Sequence, residues 1–167
     1  MKWVTTANVH FDRVASPWLI TRFIDPKAEF VFVPRDQVDK RPADAIPIAI
    51  PGTELGPHDE NGTTFTKLVK KYKITDPAIH HMAEVVEKGV KFVLEGYRPP
   101  ITDRDGQIGV GFLAFSDGMI LQKTNDQERL DASYIAYDAL YALFKANKGL
   151  VLAARDEQQA PGGAERA

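Results

Sequence analysis

No cysteine occurs among the 167 residues of this chain, which excludes disulfides, thiolate metal ligands, nucleophilic thiols and thiol redox couples. Long apolar runs are also lacking. The N-terminal Met-Lys-Trp-Val-Thr-Thr carries no signal-like apolar region, so the sequence predicts a cytoplasmic protein with no membrane partner. Neither sign of charge predominates: 21 Lys and Arg stand against 23 Asp and Glu, for a net charge of −2. Without a basic stripe or a helix-turn-helix pattern, direct nucleic-acid binding is not expected. Catalytic triads, phosphate loops and dinucleotide fingerprints are absent too, so no nucleotide cofactor is expected. Chemistry in this chain must use His, carboxylate, Arg, hydroxyl or a bound metal.

What is present is ordinary globular composition, 44% apolar and 26% charged, enough for one domain with a substantial core. The predicted fold class is α+β: a small sheet started by a βαβ-like unit and covered by a C-terminal helical layer. The first strand is expected at Lys2 to Thr6, rich in β-branched and aromatic residues, and the second at Ala28 to Pro34. Ile46 to Ile50 reads as a third strand, an edge one because of Pro47. Helical spacing then predicts helices from Thr63 or Thr64 to about Lys73, from Asp76-Pro77 to Leu94, through the apolar stretch Ile108 to Gln122, and from about Asp126 to Ala146. The domain is placed at residues 1–149, and residues 150–167, rich in Ala, Gln, Gly and charge, read as a flexible C-terminal tail.

The chain is organised around His10 to Pro26, which sets a His, an Asp and two Arg around a helix start. Ser16 and Pro17 make a helix-entry signal, a cap followed by a residue with no amide to leave unpaired, so the helix is expected to begin near Pro17 and stop at Asp25-Pro26. His10, Asp12 and Arg13 would then end the first strand just before amides that favour an anion. Together with Arg22 they are the candidate catalytic residues. The competing structural reading has Asp12 and Arg13 capping and pairing locally, with His10 an ordinary loop residue.

Two further places hold ligand-type side chains. The Gly- and Pro-rich loop from Pro51 to Gly62 contains Glu54, His58, Asp59 and Glu60. Asp117 lies in an otherwise apolar segment, where a carboxylate must find a partner, take up a proton or ligate a cation. If the first and third strands are parallel neighbours, His10 and His58 leave the same sheet edge. Those two with Glu54 and Asp117 form the candidate metal ligands, a set suited to a divalent Mn, Fe or Zn. His80 and Glu84, four apart on a helix, can also chelate, but such pairs are ordinary on solvated faces.

The stretch His10 to Pro26, with Phe30-Val-Phe-Val-Pro34, Pro51-Gly-Thr-Glu-Leu-Gly-Pro-His58, Thr64-Phe65 and Tyr137-Asp-Ala-Leu-Tyr141, resembles the chromate-resistance ChrB C-terminal domain family over about residues 2 to 147. The resemblance implies a stand-alone domain linked to chromate resistance and chromate-responsive regulation, with a small oxyanion such as chromate as ligand and a protein partner in regulation. Lacking the regulatory domain that precedes it in some relatives, the chain is not expected to act as a transcription factor by itself. Three positions depart from the family pattern: Thr63 where relatives often carry Cys, Pro57 where they carry a first His, and Asp117 where many have Glu. Two activities fit these residues. One is a metal and oxyanion site, as in a metal-dependent enzyme, with Arg13 and Arg22 as counter-charges. The other is a non-enzymatic chromate-sensing domain acting with a regulatory partner.

Overall fold

The computed structural model describes residues 1–146; the expected domain end at 149 and the tail 150–167 lie outside the described residues. Strand β1 (Lys2–Thr6) is followed by helix α1 (Asp12–Leu19), which continues into a π-helical turn (Ile20–Ile24) and leads to β2 (Glu29–Val33). A 3₁₀ turn (Arg35–Lys40) precedes β3 (Ile46–Pro47), and then come α2 (Thr64–Lys71), α3 (Pro77–Leu94), α4 (Arg104–Gln122) and α5 (Asp126–Lys145). The three strands lie in the order β2-β1-β3. Both pairings are parallel, with Lys2 opposite Glu29, Thr6 opposite Val33 and Trp3 opposite Ile46. The α+β expectation, a βαβ start under a helical layer, is therefore what the chain adopts.

Neighbouring β1 residues face opposite sides, as the two-residue strand period requires. Trp3 enters the main core with Trp18, Phe65, Leu68, Ile79 and Tyr137, whereas Val4 joins a small cluster with Ala45 and Ile50. The third strand is shorter than expected. Ile48 still donates to the Val4 carbonyl at 2.9 Å, but Ala49 takes φ +52° and its amide turns to the Leu55 carbonyl at 2.7 Å. The chain thus leaves the sheet two residues after Pro47.

The start of α1 is also corrected. It begins at Asp12, and Pro17 lies inside the helix. The Ser16 hydroxyl does not cap; it donates to the Asp12 carboxylate one turn back at 2.9 Å. Pro17 offers no amide to the preceding turn, and the helix then widens into the π turn, where the Asp25 amide reaches back to Ile20 at 2.7 Å.

Helix α4 also starts earlier than its apolar run, because Asp103 caps it by accepting from the Gly106 amide at 3.2 Å. Gly89 of α3 and Gly109 of α4 set the spacing of these two helices: a Cβ on Gly109 would fall 2.8 Å from the Val85 carbonyl oxygen, and one on Gly89 would fall 2.3 Å from the Phe11 ring.

The cap of α4 carries a pH signature. Lys88 at 2.6 Å, the Tyr97 hydroxyl and the Gly106 amide hold the Asp103 carboxyl down, from the ordinary 3.8 to about 2. A depressed carboxyl contributes stability that is complete above its unfolded value and lost as pH falls through its folded value, here from about pH 4 toward 2. Asp103→Asn should flatten the fall of melting temperature across that window. An unchanged acid limb would remove Asp103 from it.

Candidate functional site

The segment from Ala7 to Phe11 leaves the C-terminal end of the central strand, and side chains from three other elements hold its backbone. Asp126, at the start of α5, accepts from the amides of Asn8 at 2.9 Å and Val9 at 2.8 Å. Ser116 of α4 accepts from the Phe11 amide at 3.2 Å. Arg13 donates to the carbonyls of Thr6 at 2.9 Å, Ala7 at 3.1 Å and Asn8 at 3.0 Å, and to the Thr6 hydroxyl at 2.7 Å. This bonding supports a bent path, with Asn8 at φ +61° and Phe11 at φ +46°, conformations that cost non-glycine residues energy. His10 is presented from this braced loop.

Asp12 faces the other way, onto α2. Its carboxylate accepts from the amides of Thr64 at 3.0 Å and Phe65 at 3.2 Å, as well as from Ser16. The first motif thus supplies an anion to the N-terminus of a helix 52 residues later, while Thr63 caps that helix by accepting from Thr66. Burial pushes the Asp12 carboxyl up, against the downward pull of these donors. For Asp12 and Arg13 the geometry is that of local capping and bracing.

A cavity of about 480 Å³ opens where the three strands end, the crevice where open parallel sheets place ligands. Thr6, His10 and Phe11 come to it from the end of β1 and the loop after it, Arg35 and Val38 from the segment after β2, and Ala49, Pro57 and His58 from the loop after β3; α3 and α4 close it with Val90, Leu94 and Leu113. Its cationic side holds Arg13 and Arg35. Burial first, and the Arg35 charge second, push the Arg13 guanidinium down, although an arginine keeps its proton. Arg35 makes no ion pair among the described residues. The carboxylate in the lining is Asp12, whose oxygens are engaged by α2 and Ser16.

His10 and His58 do come to one cavity, as the strand order requires. Each is also held by a rim carboxylate: His10 Nε2 lies 2.8 Å from Asp117 and His58 Nε2 lies 3.3 Å from Glu95. The Nδ1 atom of His58 is buried without a partner among the described residues.

The other candidates lie elsewhere. Arg22 forms a two-pronged pair with Asp138, both contacts at 2.9 Å, and stands over the Tyr134 ring. It therefore does not share a pocket with Arg13. Glu54 pairs with Lys71 and is not in the cavity lining. Asp117 is exposed (72%) rather than buried, because it lies on the outward side of α4, where its partner among the described residues is His10. His80 contacts the Ile74 carbonyl at 2.8 Å. Among the described residues no three His, Asp or Glu side chains form a group that could hold a metal ion, so Glu54 and Asp117 do not complete a centre with the two histidines.

Three residues were not legible as site residues. Arg35 sits two positions past the end of β2 in a charged stretch that reads as a solvated turn; its place after a parallel strand was the available signal. Asp126 and Arg129 read as a helix-start acid and an i,i+3 base. Both are nearly fully buried, 2.9 Å apart, with Arg129 also donating to the Lys123 carbonyl at 3.1 Å.

A family model described as ChrB, C-terminal domain matches residues 3–144 of the chain. Among curated proteins, the chain is 27% identical over 146 residues to Protein ChrB of Cupriavidus metallidurans. That alignment covers 87% of this chain and 41% of the relative, so the chain spans less than half of that protein's length. No solved structure matches the chain. No helix of the described residues is long and apolar enough to cross a membrane.

Proposed function

The chain belongs to the ChrB C-terminal domain family, and from that premise we propose that it is a non-enzymatic anion-sensing domain of chromate resistance, receiving the oxyanion at the cationic side of the strand-end cavity. One observation carries this reading: Arg13 and Arg35 line a cavity with two imidazoles, while its lining carboxylate, Asp12, is committed to helix amides. An entering oxyanion would find charge and donors already arranged on a loop braced from three sides, so little ordering energy opposes binding. Arg35 is the contact group. Arg13 is the positioning residue, because its fork is occupied by loop carbonyls while its charge still faces the cavity. Sensing follows if occupancy changes how the His10–Asp117 and His58–Glu95 rim presents itself to a protein partner. A metal-dependent enzyme is the weaker reading, since among the described residues the histidines have no third ligand.

Chromate titrated into the purified protein should raise the melting temperature in a saturable way, as linkage requires of a ligand that binds only the folded state. Arg35→Ala should weaken chromate binding about tenfold or more, the loss of one charge-assisted contact, with its melting temperature near that of wild type because Arg35 is exposed. Failure of chromate to saturate, or equal affinity in the variant, would end this assignment.

A further inference from the structure

The cavity has a second side that a bare oxyanion does not explain. A tetrahedral oxyanion displaces only a few waters, at about 30 Å³ each, and leaves most of a 480 Å³ space vacant. That volume lies within the range of small-molecule sites, about 300–1,000 Å³. Much of the lining is apolar: α3 and α4 contribute Val90, Leu94 and Leu113, and the strand-end segments add Phe11, Val38 and Ala49. Toward the mouth, Val93 and Leu94 stay 58% and 64% exposed, an apolar rim that water does not favour. The wall is also fixed in place. Phe11 and Ala49 both take positive φ, and the Phe11 ring occupies the space left by the missing side chain of Gly89. A space lined both by guanidinium groups and by apolar side chains, two of them on residues with positive φ, is shaped for an amphipathic guest.

We propose that the natural occupant is a small organic anion: a phosphate or carboxylate head beside Arg35 and His10, borne on an apolar body of about one aromatic ring that packs on Phe11, Val90 and Leu94. This rests on reading the cavity as an anion site and adds the chemical class of the anion. The head would lie between Arg35 and Arg13, two like charges with no free carboxylate between them. The ring would cover wall and rim that an inorganic ion leaves wet.

Isothermal titration of the full chain with four probes tests this: inorganic phosphate, phenyl phosphate, phenol and chromate. Phenyl phosphate should bind at least tenfold more tightly than inorganic phosphate, and phenol should bind more weakly than phenyl phosphate by a similar factor. Arg35→Ala should weaken both phosphates. Leu94→Gln, at an exposed rim position that leaves the core intact, should weaken phenyl phosphate severalfold and leave inorganic phosphate unchanged. Equal affinity for the two phosphates, phenol binding as well as phenyl phosphate, indifference of phenyl phosphate to Leu94→Gln, or no saturable binding of phenyl phosphate would each overturn the organic-anion assignment. Chromate separates the two readings. If chromate saturates while phenyl phosphate gains nothing over phosphate, the sensing reading stands and this inference falls. If phenyl phosphate binds as expected while chromate does not, the inference stands and the chromate reading falls.

Discussion

Asp126→Ala should destabilise the chain by about 3–5 kcal/mol, the usual cost of removing one partner of a buried ion pair, and it is the largest single-substitution loss we expect. The carboxylate is held by three donors, the Asn8 and Val9 amides and Arg129. Its removal leaves a guanidinium 7% exposed with backbone carbonyls and the Asn8 side chain as partners. It also leaves the amides of Asn8, at φ +61°, and Val9 unsatisfied, so the strained path of the β1–α1 loop loses one of its three supports. Urea unfolding followed by tryptophan fluorescence checks the magnitude. Asp126→Ala with Arg129→Met should recover part of the loss, because an apolar side chain replaces the stranded charge. A single variant within 1 kcal/mol of wild type would show that the pair does not brace the loop.

The elements that the sequence makes legible are those whose signals are local. Lys2 to Thr6 carries the β-branched and aromatic residues that strands favour, Asp76-Pro77 opens α3 with a cap and a first-position proline, and α5 keeps its buried face at helical spacing through Leu130, Tyr134 and Tyr137. Ser16-Pro17 is an equally local signal and misleads, because Asp12 offers the Ser16 hydroxyl a better partner than the helix amides do. Distance explains the rest. Asp126 reaches Asn8 across 118 positions and Arg22 finds Asp138 across 116, separations at which spacing carries no information. His10 and His58 could be placed in one cavity because parallel strands send their loops to one edge. Their rim partners, Asp117 and Glu95, depend on how α3 and α4 pack at Gly89 and Gly109, which side-chain periodicity does not encode. Arg35 belongs to both cases: the topology places it, and its charged neighbours disguise it.

Asp12→Ala should cost about 2–4 kcal/mol, because one carboxylate is the acceptor for the Thr64 and Phe65 amides and for the Ser16 hydroxyl. Losing a helix-terminal acceptor alone costs about 0.5–2 kcal/mol, and each buried donor left without a partner adds about 1–3 kcal/mol. The loss stays below that sum because water can enter from the cavity that Asp12 lines. For a chain of this length the loss corresponds to a fall in melting temperature of roughly 5–15 °C. Asp12→Asn should fall between wild type and Ala, since its one carbonyl oxygen can serve one amide while its NH₂ faces the other. The loss should also be localised: hydrogen exchange at Thr64 and Phe65 should accelerate, as α2 frays where its anion is gone, while amides in the middle of α5 exchange as in wild type under conditions that favour local opening. Unchanged protection at Thr64 and Phe65, with stability within 0.5 kcal/mol of wild type, would return Asp12 to the cavity as a candidate for chemistry rather than a clamp between α1 and α2.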